Sequence, residues 1–67
     1  MLKLGRTFDI LSIRERQIAT LLLDGITTTD IAKKLEIKSN TVSTIKKRIY
    51  IKLGVVSAVG LYKLFTE

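Results

Sequence analysis

Two helix-start signals, one at residue 12 and one at residue 27, constrain what this chain is able to fold into. In Ser12-Ile13-Arg14-Glu15 the hydroxyl of Ser12 and the carboxylate of Glu15 can each satisfy an orphan N–H group, the reciprocal arrangement of a capping box. Ile18, Leu21 and Leu22 then fall on one face at helical spacing, and Gly25 ends the helix. Thr27-Thr28-Thr29-Asp30 repeats the signal, with Thr27 and Asp30 in the same two roles. Ile31, Ala32 and Leu35 follow as a short apolar stripe, which predicts a helix of about two turns.

From Leu35 the chain passes through only Glu36, Ile37 and Lys38 before a third periodic segment begins. Helices joined that tightly are the signature of a helix-turn-helix. The connection holds no glycine, and Ile37 is expected to pack into the angle between the helices. In the third segment, about residues 39 to 53, Val42, Ile45, Ile49 and Leu53 form one stripe at about 100° per residue. Asn40, Ser43, Thr44, Lys47 and Ile51 then face the other way. A fourth helix is expected to begin with Ser57 as its cap and to run through Leu61, Tyr62, Leu64 and Phe65. Gly60 weakens it, since an interior glycine costs about 1 kcal/mol relative to alanine. The expected fold is all-α, a four-helix bundle-like domain over residues 11–67 with a central helix-turn-helix. Residues 1–10 read as an arm or linker in which Leu2, Leu4, Phe8 and Ile10 alternate or pack back on the domain.

A chain of 67 residues closes one small core and has no room for a separate catalytic domain. Cysteine and histidine are both absent, which removes disulfides, thiolate chemistry, the usual zinc ligands and the commonest general base at neutral pH. The six carboxylates are scattered, and most stand where a helix end would use them. No enzyme activity, cofactor or metal is expected. Twelve Lys and Arg against six acids give a net charge of +6, which points to a polyanionic partner. No apolar run approaches the roughly 18 residues that span a bilayer, and the N-terminus lacks the apolar core of a signal peptide, so a cytoplasmic location is expected. A basic amphipathic membrane binder fits poorly, because the cations of the third helix lie opposite a stripe that the core needs.

The polar face of the third helix fits insertion into the major groove of double-stranded DNA. Short side chains let the backbone come close, and long cations reach phosphates or guanine edges. Ser43, Thr44 and Lys47 are read as base contacts, and Asn40 as a base or phosphate contact near the helix start. Lys38, Ser39, Lys46, Arg48 and Lys52 flank that face and are assigned to the DNA backbone. An isolated Lys46-Lys47-Arg48 would read as a solvated face. Its place on the second helix of a helix-turn-helix, in a strongly basic chain, reverses that reading. Thr27 is taken as a cap, and Thr28 and Thr29 as phosphate contacts at a helix N-terminus.

The residues Leu11-Ser12-Ile13-Arg14-Glu15-Arg16, Gly25, Asp30-Ile31-Ala32-Lys33-Lys34-Leu35, Thr41-Val42 and Lys52-Leu53-Gly54-Val55 resemble the LuxR/FixJ (GerE-like) DNA-binding domain over roughly residues 11 to 65. Thr41-Val42-Ser43-Thr44 followed by Lys46-Lys47-Arg48 looks most like the branch at the C-terminus of RcsB-like bacterial response regulators. The resemblance implies four helices, the second and third forming the DNA-reading unit, with two copies paired through the fourth. It implies that Ser43, Thr44 and Lys47 face bases, that Lys46 and Lys52 meet the backbone, and that Val59, Gly60 and Lys63 lie near the dimer contact. Three positions depart from the family pattern. Lys38 replaces the usual serine opening the recognition helix, so that Ser39 caps instead or the start frays. Ile45 replaces an aromatic or histidine, and Ala58 replaces the arginine that starts the fourth helix.

Two other readings use the same residues. Sigma factors share the Arg-Glu-Arg and Ile-Ala-x-x-Leu pattern and bind RNA polymerase, although Lys52-Leu53-Gly54-Val55 followed by another helix argues against that end of a sigma factor. The departures at Lys38, Ile45 and Ala58 would suit a protein-interaction module of the same fold that pairs with a related regulator and binds DNA weakly or not at all.

Overall fold

The Ser12 hydroxyl accepts the Glu15 N–H at 3.2 Å while the Glu15 carboxylate accepts the Ser12 N–H at 2.8 Å. The expected capping box therefore closes, and it opens α1 (Ile13–Leu23) in the computed structural model, which describes residues 9–66. Thr27 caps α2 (Thr28–Leu35) by accepting the Asp30 N–H at 3.2 Å. The second box forms only this half, since the Asp30 carboxylate does not return a bond to the Thr27 N–H. Next come α3 (Ser39–Leu53) and α4 (Ala58–Thr66), and the described residues contain no strand. At the start of α4 the Ser57 hydroxyl accepts the Gly60 N–H at 3.3 Å, the cap that its sequence predicts. The arm expected over residues 1–10 falls outside the described residues except for Asp9 and Ile10, both exposed.

One closure ends each of the first three helices. A residue in the left-handed region breaks the helix at Gly25 (φ 82°), Glu36 (φ 58°) and Gly54 (φ 70°). The residue after it then donates its N–H back across the last turn, from Ile26 to Leu21 O at 3.1 Å, Ile37 to Ala32 O at 3.0 Å and Val55 to Tyr50 O at 3.0 Å. These are Schellman closures, and each brings an apolar side chain, Ile26, Ile37 or Val55, onto the core. Ile37, in the turn between α2 and α3, is thus half-buried against the core.

Glycine adopts the left-handed conformation without strain, whereas Glu36 meets its own Cβ there. Its carboxylate also stands at the negative end of the α2 macrodipole. Glu36→Gly is therefore expected to stabilise the domain by about 0.5 to 1 kcal/mol, the steric and dipolar relief exceeding the extra freedom glycine gives the unfolded chain. A thermal midpoint raised by a few degrees would show it, and an unchanged or lower midpoint would refute it.

Leu11, Ile18, Ala19, Ile31, Ala32, Val42, Ile49 and Leu61 form the buried core, drawn from the segment before α1 and from all four helices. Leu22 and Leu53, which the sequence places on the apolar stripes of α1 and α3, are half-buried and pack against the core. α3 packs against both α1 and α2, and α4 closes on α1. Each fully buried aliphatic side chain contributes roughly 1.5 to 3 kcal/mol against a large loss of chain entropy. With so thin a core, the caps and closures at the helix ends carry a substantial part of the net stability.

Gly60 sits where α4 crosses the turn that follows α3. A Cβ added there would lie 3.2 Å from the Val55 Cβ, so the open side of this glycine faces its own chain. The residue that the family resemblance placed near a dimer contact thus also packs closely on Val55 of its own chain.

Candidate nucleic-acid interface

α3 is anchored by Val42 and Ile49, both completely buried, and its outward side is the half turned away from them. Asn40, Thr44, Lys47 and Ile51 all lie there and are exposed, in line along the helix at successive turns. Arg48 is exposed beside them. Neither Lys47 nor Arg48 has a partner among the described residues, so both charged ends are available to a ligand. Ser43 stands at the edge of the face and is half-buried. The Thr44 hydroxyl donates to the Asn40 carbonyl at 3.0 Å, which commits its proton to the helix and leaves its oxygen as an outward acceptor. Lys46 is half-buried, with its Nζ 6.0 Å from the centre of the Tyr50 ring. Burial pushes the Tyr50 hydroxyl above its ordinary pKa, so the ring stays a neutral neighbour for that cation.

Lys38 is the N-cap of α3, and no side chain caps this helix. Ser39 is its first helical residue, so the expectation that Ser39 replaces the missing cap is not met. The Thr41 and Val42 N–H groups return to the Lys38 carbonyl at 3.0 and 3.2 Å. The positive end of the α3 dipole is left open to solvent in a depression bordered by Thr29, Lys33, Lys38, Ser39 and Asn40. Thr29 is exposed there, whereas Thr28 is half-buried.

Lys52 is the site residue whose surroundings differ most from expectation. Its Nζ lies 2.8 Å from Glu15 Oε1, the oxygen that also accepts the Ser12 N–H. The Glu15 side chain is buried, and its pKa is lowered first by the Lys52 hydrogen bond and then by the Ser12 N–H. Lys52 therefore ties the last turn of α3 to the first turn of α1, and a DNA phosphate would have to share it with a buried carboxylate. The pairing joins residues far apart in sequence, and no spacing rule marks it. The capping-box reading found Glu15 but gave it only a local task.

The charge of the chain is concentrated on this unit. Residues 31–53 hold seven cations (Lys33, Lys34, Lys38, Lys46, Lys47, Arg48 and Lys52) against the single carboxylate of Glu36, while the rest of the chain holds five of each sign. With Asp30 at the start of α2 counted as well, α2, α3 and the turn between them carry +5 of the net charge of +6. Two tightly joined helices, the second polar and cationic outward, define a helix-turn-helix domain of the DNA-binding class. The sequence profile described as "Bacterial regulatory proteins, luxR family" matches residues 9–65, and the chain belongs to that family. Its members are transcription regulators and not enzymes. Over 57 residues the chain is 46% identical to a protein of Aeromonas salmonicida described as "Putative HTH-type transcriptional regulator in exeN 3'region". The match covers 85% of this chain and 29% of that relative, so the chain spans less than a third of the relative's length. No solved structure matches the chain significantly. Among the described residues no helix is long and apolar enough to cross a membrane, and no group of side chains is placed to hold a metal ion.

Proposed function

We propose that this domain binds double-stranded DNA sequence-specifically, as the reading unit of a bacterial transcription regulator acting in the cytoplasm, with α3 in the major groove. The observation that carries this reading is the coincidence of two properties on one unit: nearly all of the net charge, and an outward α3 face of short polar groups with unpaired cations. In this reading Asn40, Thr44 and Lys47 meet base edges, with Ser43 at the margin. Lys38, Ser39 and Thr29 surround the open start of α3 and suit a phosphate, with Arg48 and Lys46 flanking the face and Thr28 and Lys52 less accessible. The similarity to RcsB-like response regulators belongs to this reading and rests on Thr41-Val42-Ser43-Thr44 and the basic triplet after it.

Pairing of two copies, or of this chain with a related regulator, is part of the same proposal. On α4, Val59 and Tyr62 are apolar and exposed, and Lys63 stands exposed beside them. Selection of bound sequences from a random duplex pool at physiological salt tests the proposal. A motif with two related halves, centred about 10 base pairs apart, is expected for a dimer. Uniform binding at roughly 10⁻⁴ to 10⁻⁶ M with no enriched motif would reduce the domain to a non-specific polyanion binder and overturn sequence reading.

A further inference from the structure

Ile51 stands in the last turn of α3, at the C-terminal end of the outward line of Asn40, Thr44 and Lys47, and has no task in the function proposed above. It is 79% exposed, although it belongs to a helix whose other aliphatic side chains are buried or half-buried. It lies about one turn beyond Lys47, two beyond Thr44 and three beyond Asn40, in the same line, and roughly opposite Val42. Its exposure excludes a core role. Helix propensity does not explain it either, since a β-branched residue is a weaker helix former than the lysine, arginine or glutamate that an exposed site would favour. The other large apolar side chains exposed among the described residues lie before or on α1 and around α4, so Ile51 is not part of an apolar patch on its own helix.

In the major groove the one apolar group offered by the bases is the 5-methyl of thymine. An isoleucine carried into the groove on α3 gains by covering that methyl. It loses against the polar edges of the other bases, whose donors and acceptors it desolvates without replacing. We propose that Ile51 is a specificity-determining residue that packs on the 5-methyl group of a thymine, giving each half-site a T·A preference beside the base pair read by Lys47. The separation of about 6 Å along α3 between Lys47 and Ile51 compares with about 3.4 Å per base pair, which puts the thymine one or two base pairs from the Lys47 contact. The inference rests on α3 reading DNA as proposed above.

Replacing thymine by deoxyuridine removes only the methyl and keeps the base-pairing edge, so it isolates the contact. Starting from the duplex selected with the whole chain, each thymine is replaced in turn and binding is measured for the wild type and for Ile51→Ala. At one position in each half-site the wild type is expected to bind the deoxyuridine duplex about fourfold more weakly, the effect of one buried carbon. Ile51→Ala is expected to bind both duplexes alike and, on reselection, to lose the preference for thymine there while keeping that at the Lys47 position. Because the side chain is exposed, the helical signal and melting midpoint of Ile51→Ala should match the wild type. A deoxyuridine profile that is flat in the wild type, or unchanged in Ile51→Ala, overturns the assignment and leaves DNA reading standing. Loss of self-association in Ile51→Ala with an unchanged motif overturns it in favour of a protein contact. Failure of the wild type to enrich any motif overturns this assignment and the DNA-reading proposal together.

Discussion

Replacing Glu15 by alanine is expected to remove about 2 to 4 kcal/mol of folding stability, a large share of the roughly 3 to 10 kcal/mol that a chain of this size holds. The carboxylate is buried, with 5% of the residue exposed, and one of its oxygens takes both the Ser12 N–H and the Lys52 ammonium. Alanine leaves the start of α1 without half of its cap and opens the clamp between α1 and α3. Lys52, with 43% of its side chain exposed, can turn to water, which keeps the loss below that of a fully buried pair. Urea unfolding measures the change, and a loss under about 1 kcal/mol would show that the pair contributes no more than a surface contact.

The same carboxylate gives the domain an acid limit. Its pKa is lowered in the folded chain from an ordinary value of 4.5, so in acid the unfolded chain binds that proton more readily than the folded one. The stability Glu15 contributes is fully present above that value and is lost as pH falls through the lower folded pKa. Glu15→Gln is expected to flatten this part of the stability curve. An acid transition of equal steepness in Glu15→Gln would assign it to the other carboxylates.

Lys47→Ala is expected to weaken binding to the selected DNA site by about 1 to 3 kcal/mol, or roughly 5- to 150-fold, with the loss focused on particular base pairs. Lys47 stands on the outward midline of α3 without a partner, so removing its side chain leaves the fold intact. The contrasting change is Lys38→Ala beside the open helix start. It should weaken binding to all sequences alike and lower the salt dependence by about one counterion, as a phosphate contact does. Competition against single-base variants of the site separates the two patterns. Equal, sequence-independent losses would move Lys47 from the bases to the backbone.

The elements were legible in the sequence wherever their signals are local. Ser12 with Glu15, Thr27, Gly25, Ser57 and the Val42, Ile45, Ile49 and Leu53 stripe each act within a few residues, and the four helices follow from them. Signals that depend on the assembled domain were not legible. Glu36 gives no hint of a left-handed residue, because glutamate has no preference for it and the closure is imposed by Ile37 reaching the core. Lys52 looked like one more cation on a basic helix until α1 placed a buried carboxylate against it. Gly60 carried a family expectation of pairing, and its close approach to the Val55 side chain of the same molecule appears only in the folded chain. On α3 the outward line of Asn40, Thr44, Lys47 and Ile51 followed from periodicity, whereas the partial burial of Ser43 and Lys46 depends on what packs beside them.

The repeated closure at Gly25, Glu36 and Gly54 bears on how the chain finds its fold. Each bend is specified by hydrogen bonds between residues no more than five apart, and each delivers its own apolar residue to the centre. Little of the search then involves closing long loops, whose entropy slows the assembly of proteins rich in distant pairings. The domain is accordingly expected to fold within microseconds to milliseconds, as small helical proteins do, and stopped-flow or temperature-jump relaxation checks it. At such a rate an opened molecule would reclose faster than processes that need seconds to act on its exposed segments.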